Sequence, residues 1–303
     1  MPISTSSLVA TLVAHPDRPG VTDTVIDETA QALGHETRPA VLARGIAVDL
    51  VFEASEDPAV IQDRLRHALA PAPVDVVVQP LAGRKKKLFL ADMDSTMIEQ
   101  ECIDELADFV GLKGEVATIT ERAMRGEIAF EPALRERVAL LKGLPLKVVD
   151  DIIEQRITLT SGGRALVRTM RANGAYTCLV SGGFTVFTGP ISGMVGFDEH
   201  RSNRLIVENE HLAGRVEEPI LGREAKLSTL HELRERLRLS PTESLAVGDG
   251  ANDLAMLSEA GLGVAFHAKP AVAAAAHARL DHADLTALLY VQGYRAEDFV
   301  LDG

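Results

Sequence analysis

Leu88-Phe89-Leu90-Ala91 runs directly into Asp92-Met93-Asp94-Ser95-Thr96. The apolar run reads as a short strand, and two carboxylates spaced by one residue at its exit are placed for covalent phosphoryl chemistry. One aspartate can attack phosphorus to give an aspartyl phosphate while its neighbour handles the proton of the leaving group. The position matters because ligands of open α/β sheets bind outside the carboxyl ends of the strands, where side chains converge without being buried.

Outward from this stretch the chain alternates short apolar runs with longer helical patterns, which argues for parallel strands joined by crossover helices. Further strands are expected at residues 176–180, 245–248 and 263–266. The mostly helical stretch at about 100–171 is too long for a simple crossover and reads as a helical cap inserted after the first strand. Residues 191–212 alternate apolar and polar side chains around a turn-like segment at 198–203, the pattern of a hairpin. Upstream, residues 8–79 follow the order βαββαβ, with strands at 8–14, 37–43, 46–53 and 74–79 and helices at 21–33 and 58–68.

At 303 residues, roughly two units of ordinary size are expected. The reading is an α+β ferredoxin-like unit over 1–82, joined through about 79–84 to an α/β, doubly wound parallel-sheet core over 83–303. Hydrophobic residues make up 46% of the chain, enough for real cores. With 31 basic against 44 acidic residues the net charge is -13, which disfavours a nucleic-acid partner. The one basic cluster, Arg84-Lys85-Lys86-Lys87, reads as a solvated ramp into the buried strand. Cys102 and Cys178 form no disulfide framework and read as reduced thiols of a cytoplasmic protein. No stretch approaches the ~20 apolar residues that span a bilayer, so no membrane is expected.

Three further features accompany the two aspartates. Ser181-Gly182-Gly183 follows the apolar run 176–180 and offers a hydroxyl and flexible amides to a phosphate, although by itself it is an ordinary strand-to-helix turn. Lys226 lies in a helical pattern, where alone it reads as a surface charge. Gly248-Asp249-Gly250-Ala251-Asn252-Asp253 closes another strand with two acids and an amide, a set suited to a hard cation. The order Asp-x-Asp-x-Thr, Ser-Gly, Lys, Gly-Asp-x-x-Asn-Asp resembles the haloacid dehalogenase-like phosphatases. Over about 87–293 it is most similar to their phosphoserine phosphatase branch, through Glu99-Gln100-Glu101-Cys102-Ile103-Asp104-Glu105, Met124-Arg125-Gly126-Glu127-Ile128-Ala129-Phe130 and Leu134-Arg135-Glu136-Arg137-Val138. The N-terminal unit, with its loop His15-Pro16-Asp17-Arg18-Pro19-Gly20, resembles the ACT domains.

The resemblance implies hydrolysis of O-phospho-L-serine, the last step of L-serine biosynthesis, with Asp92 as nucleophile and Asp94 as acid and base. It implies Mg²⁺ held by Asp92, the Asp94 backbone carbonyl and Asp249. Ser181, the Gly182 amide and Lys226 take the phosphate oxygens, Asn252 contacts phosphate or substrate, and Asp253 orients Lys226. In the cap, Glu101 is implied for the substrate ammonium and Arg137 for its carboxylate, with Arg135 competing for the second role. Met124 and Phe130 are expected to line the cavity. The ACT resemblance leaves room for an amino-acid effector and a homodimer. Two other readings stand beside this one: a related Mg²⁺-dependent phosphomonoesterase or phosphotransferase, and an amino-acid sensor with a vestigial phosphatase core.

Overall fold

The computed structural model describes residues 6–124 and 127–301 of the chain. The first elements are β1 (Ser6–Val13), α1 (Asp23–Leu33), β2 (Arg38–Ala43), β3 (Ala47–Ala54), α2 (Pro58–Leu69) and β4 (Asp75–Pro80). They form an antiparallel sheet ordered β2-β3-β1-β4. Both helices start where local chemistry predicts. The Thr22 hydroxyl caps α1 by accepting from the Val25 amide, and Asp57 accepts from Ala59 ahead of Pro58 in the first turn of α2.

There follow β5 (Leu88–Ala91), α3 (Cys102–Phe109), α4 (Lys113–Met124), α5 (Phe130–Leu140), α6 (Lys147–Gln155), α7 (Gly163–Ala172), β6 (Tyr176–Phe184), α8 (Thr185–Val195) and β7 (Glu199–Asn203). The chain continues through β8 (Leu205–Glu208), β9 (His211–Val216), α9 (Arg223–Leu237), β10 (Ser244–Gly248), α10 (Leu254–Glu259), β11 (Leu262–Phe266), α11 (Pro270–Ala275), β12 (Ala278–Leu280) and α12 (Ala287–Val291). Six strands make a parallel sheet in the order β12-β11-β10-β5-β6-β7. Every residue of β5, β10 and β11 is buried, as a parallel sheet covered on both faces demands. From β5 the chain proceeds outward to β6 and β7, then returns to add β10, β11 and β12 on the other side. The strand order therefore reverses between β5 and β10, and the crevice at their carboxyl ends is the topological switch point.

Four sequence expectations need correction. Residues 191–212 do not form a hairpin. They comprise the end of α8, the parallel edge strand β7 and the start of a true hairpin, β8-β9, centred on Asn209 and Glu210. The polar composition of β7, Glu-His-Arg-Ser-Asn, disguises a strand that lies at a sheet edge. Ser181-Gly182-Gly183 lies inside β6, whose pairing with β7 shifts register between Val180 and Phe184. The ramp 84–87 is not merely solvated: Lys86 is 8% exposed and the Arg84 guanidinium pairs with buried Asp49 at 2.7 Å. The stretch 100–171 also contains α7, which packs on β6 and α8 rather than with α3–α6. Arg125 and Gly126, and the side chain of Met124, lie outside the described residues.

The N-terminal sheet is clasped to the β12 side of the larger one. Asp75 accepts from the backbone amides of Asp281, His282 and Ala283 at 2.8, 3.0 and 2.9 Å. Gln79 donates to the Val291 carbonyl at 2.8 Å and Gln62 to the His277 carbonyl at 3.0 Å. Among the described residues, no helix is long and apolar enough to cross a membrane.

Candidate active site

The switch point gathers the sequence-predicted residues. Asp92 is fixed as β5 ends: its amide donates to the Val247 carbonyl, and its own carboxylate accepts from the Met93 amide at 2.7 Å. The turn beyond it folds tightly, with the Thr96, Met97 and Ile98 amides all converging on the Met93 carbonyl. Ser95 takes a left-handed conformation, φ 55°, a local strain held by its surroundings.

Lys226, on the first turns of α9, is 2% exposed and reaches two carboxylates, Asp92 at 2.7 Å and Asp253 at 2.6 Å. Burial works against its charge, but Asp253 and Asp92 outweigh it and hold the lysine pKa above the ordinary range. Asp253 also accepts from the Gly250 amide at 3.0 Å, which fixes it as the strut between the loop after β10 and Lys226. Its side chain packs so closely on Gly248 that a Cβ there would sit 2.4 Å from the Asp253 carboxyl carbon. Asn252 lies against Gly250 in the same turn.

Carboxylate oxygens of Asp92, Asp249 and Asp253 lie within 4.8 Å of one another. Asp249 is steadied by the Thr96 hydroxyl at 3.0 Å. Burial first, then the charges of Asp253 and Asp94, push the Asp92 pKa well up despite Lys226. Burial, then Asp253, raises that of Asp249 as well. One ammonium against three carboxylates leaves negative charge in excess. An oxygen-only donor set of this kind fits a hard divalent cation.

Asp94 faces the other way. One oxygen accepts from the Cys102 amide at the start of α3 (2.8 Å), and the other accepts from the Ser181 hydroxyl (3.1 Å). Ser181 in turn accepts from the Gly183 amide at 2.8 Å, so the shifted end of β6 is wrapped around this hydroxyl. Asn203, which sequence reasoning missed, holds that segment in place. It donates to the carbonyls of Gly182 (2.8 Å) and Leu221 (3.1 Å) and accepts from the Leu221 amide (2.7 Å). Asn203 thereby ties the β6 end to the loop that launches α9 and Lys226. Recognising β7 as a strand running beside β6 would have been the signal for it.

Helices α3–α6 cover this crevice. Glu101 accepts from the Ser95 hydroxyl at 2.7 Å. It keeps solvent access at the mouth of the site, but surrounding protein, then the charge of Asp94, lifts its pKa to about 7. Arg137, partly buried on α5, donates to the Ala133 carbonyl (3.3 Å) and the Thr120 hydroxyl (3.4 Å). Burial lowers its pKa, while Asp104 and Glu101 pull the other way, so Arg137 and Glu101 stand in one electrostatic neighbourhood. Arg135 is turned outward to Glu218, at 2.6 Å. That separates the two arginines of the Arg-x-Arg motif by environment. The Phe130 ring lies over Gly182 and Gly222, closing the cap onto the phosphate-side backbone. The core side of the site thus sets Lys226 against Asp92 and the Ser181 hydroxyl against Asp94.

A family model for haloacid dehalogenase-like hydrolases matches residues 89–258. The phosphoserine phosphatase of Archaeoglobus fulgidus is 42% identical over 250 residues, covering 82% of this chain and 72% of that protein. The crystal structure of a probable phosphoserine phosphatase from Vibrio cholerae superposes with a TM-score of 0.78 at 30% identity, covering 95% of this chain and 86% of the other. A substrate-bound phosphoserine phosphatase complex, 40% identical, gives a TM-score of 0.63 over 68% of this chain and 98% of its own. With a buried lysine shared between two aspartates, a second acid beside the first, and these matches across the whole crevice, the chain belongs to the haloacid dehalogenase-like hydrolases.

Proposed function

We propose that this chain hydrolyses O-phospho-L-serine to L-serine and phosphate through an aspartyl-phosphate intermediate, closing a route of L-serine synthesis. The observation that carries the reading is that an acid and a guanidinium from the cap, Glu101 and Arg137, share one electrostatic neighbourhood, which Glu101 extends to Asp94 and Asp249 beside the Asp92–Lys226 pair of the core. A substrate with an ammonium, a carboxylate and a phosphate needs these three kinds of partner at once.

In this mechanism Asp92 attacks phosphorus, and the phosphorus–oxygen bond to serine breaks. Asp94 delivers its proton to the departing serine oxygen, then takes one from the water that cleaves the acyl phosphate and frees Asp92. The Cys102 amide and Ser181 hydroxyl aim Asp94 for both transfers. Lys226, Ser181 and the Gly182 amide stabilise the equatorial oxygens as charge redistributes, with Asn252 alongside and Asp253 holding Lys226 in place. Asp92, the Asp94 carbonyl and Asp249 would hold Mg²⁺, which offsets the repulsion between the Asp92 carboxylate and an anionic phosphate. Arg137 grips the substrate carboxylate with a planar fork that lysine lacks, and Glu101 takes the ammonium.

The proposal extends to organisation. Residues 1–82 are an ACT-like unit, open to an amino-acid effector and to pairing with a second copy, and 83–303 the phosphatase unit. The four-stranded order β2-β3-β1-β4 supports the first. The cap is best drawn as α3–α6, and the setting is cytoplasmic, in keeping with two unpaired buried cysteines.

Phosphate release from phosphoserine, phosphothreonine, phosphoglycolate and an aryl phosphate, with Mg²⁺ or chelator, tests the reading. A Mg²⁺-dependent preference for phosphoserine supports it. Equal losses on phosphoserine and aryl phosphate in Glu101→Gln and Arg137→Ala would remove the amino-acid pocket while leaving the phosphatase chemistry.

A further inference from the structure

A cleft of about 1000 Å³ opens between α2 and β4 on one side and the amino ends of β5, β10, β11 and β12 on the other. The candidate active site lies at the carboxyl ends of these strands, so the two sites occupy opposite edges of the sheet. Its lining runs against the balance of the chain. In a protein of net charge -13, Arg66, Arg84, Lys86 and Arg279 line the cleft against only Asp57 and Asp63.

Arg84 is taken by buried Asp49, Arg66 and Arg279 have one close carboxylate each, and Lys86 is held by carbonyls alone. Lys86, 8% exposed, donates to the carbonyls of Gly83 (3.2 Å) and Thr242 (2.8 Å), and a third ammonium hydrogen remains. Burial lowers its pKa, the cost of holding the charge there with dipoles alone. Arg66 pairs with exposed Asp63 at 2.9 Å, and Arg279 with Asp281 at 2.9 Å, both at the rim. Burial, then the proximity of Arg279, lowers the Arg66 pKa, and the charges of Asp63, Asp281 and Asp75 offset only part of that, so the two guanidiniums stand close enough to repel. His277 accepts at Nδ1 from the Gly263 amide (3.0 Å), which leaves Nε2 as the protonated nitrogen, a further donor.

We propose that this cleft binds a small organic anion carrying carboxylate or phosphate groups, gripped between Arg66 on α2 and Arg279 on β12 with Lys86 at its floor. Paired guanidinium forks match both anions in geometry and charge. Because the walls belong to different sheets, the anion also strengthens the junction between them, by mass action on the closed form.

Calorimetric titration of the full chain with sodium succinate, and separately with inorganic phosphate, tests the site. The expected result is saturable binding of at least one anion that weakens about tenfold or more in Arg66→Gln/Arg279→Gln and is unchanged in Ser181→Ala. Succinate alone identifies a carboxylate ligand and phosphate alone a phosphate ligand. Phosphatase activity of the double variant within twofold of the parent reports an intact fold. The single Arg66→Gln, on a partly exposed helix face, gives the same direction with a smaller shift should the double variant lose activity. Absence of heat from both anions, or phosphate binding lost in Ser181→Ala and kept in the double variant, would overturn the proposal. Absence of heat leaves the phosphoserine reading untouched, and phosphate binding that depends on Ser181 belongs to the candidate active site, so neither result counts against that reading, which the substrate panel decides by itself.

Discussion

Asp75 and Asp92 are equally buried, each 5% exposed, and burial is the leading influence raising the pKa of both. Their surroundings differ. Asp75 is met by three backbone amides from across the junction of the two sheets. Asp92 has the Met93 amide and Lys226, but it shares that lysine with Asp253 and lies near Asp249. One carboxylate is held by three rigid dipoles, which offset part of the cost of burial, and acts as a clasp. The other belongs to a group in which acids outnumber cations, an arrangement that weakens the fold locally and suits a hard cation. A buried charge serves stability where its partners are complete, and chemistry where they are left short.

Breaking each member of this pair should therefore give opposite phenotypes. Asp92→Asn keeps volume and removes the nucleophile, so phosphate release should fall by at least ~10³-fold. In chelator, the same variant should melt no lower than the parent, because one of three mutually repelling acids has lost its charge. A variant that retained a tenth of the activity would remove Asp92 from the chemistry. Asp75→Ala should do the reverse. Stranding three amides costs about 2 kcal/mol of stability, read as a lower midpoint in urea, with kcat within twofold. A fall in kcat at unchanged stability would show that the junction reports to the active site directly.

The contrast also explains what the chain discloses in its sequence. Asp92, Asp94 and Asp249 are legible because they close β5 and β10, which are continuous apolar runs, whereas Lys226 alone reads as a surface charge, is placed only by the family resemblance, and is in fact buried. Asp75, Asn203 and Lys86 are not. Each acts through backbone groups, most of them brought close only by the fold, and backbone amides and carbonyls carry no residue signature. β7 was lost for a related reason. As an edge strand it needs no apolar code, and its polar residues imitate a turn. The end of α8 and the register shift in β6 likewise follow from tertiary pairing rather than local propensity.

Glu101 sharpens the comparison, since it joins the acid-rich group from the cap side. With its pKa near 7, it is largely neutral below neutrality and ionised above. Recognition of a substrate ammonium requires the ionised form, so kcat/KM for phosphoserine should rise with pH, about tenfold per unit on the acid limb below 7. The limb should be missing for an aryl phosphate and flattened in Glu101→Gln. A bound divalent cation near Asp94 and Asp249 offsets the charges that help raise this pKa, so saturating Mg²⁺ should move the limb to lower pH. An identical acid limb for both substrates would assign it to the shared chemistry instead.

The smallest effect is expected where charges are complete and exposed. Arg135 on α5 reaches Glu218 at 2.6 Å and Glu131 at 3.5 Å, joining the cap to the loop before α9. Both ends are open to solvent, so the pair contributes little to stability, and less in high salt. Its place in the fold gives even that small contribution a distinct readout. Glu218 lies four residues before Gly222, on which the Phe130 ring rests, so the pair and the ring close the same seam. Arg135→Ala should leave the chemical step intact and raise KM for phosphoserine about two- to fivefold at low salt, with the difference from the parent disappearing near 0.5 M salt. A loss confined to phosphoserine, absent for small aryl phosphates and persisting at high salt, would mean that Arg135, rather than Arg137, faces the substrate carboxylate in the working enzyme. It would then move the cap's guanidinium from the buried arginine to the exposed one.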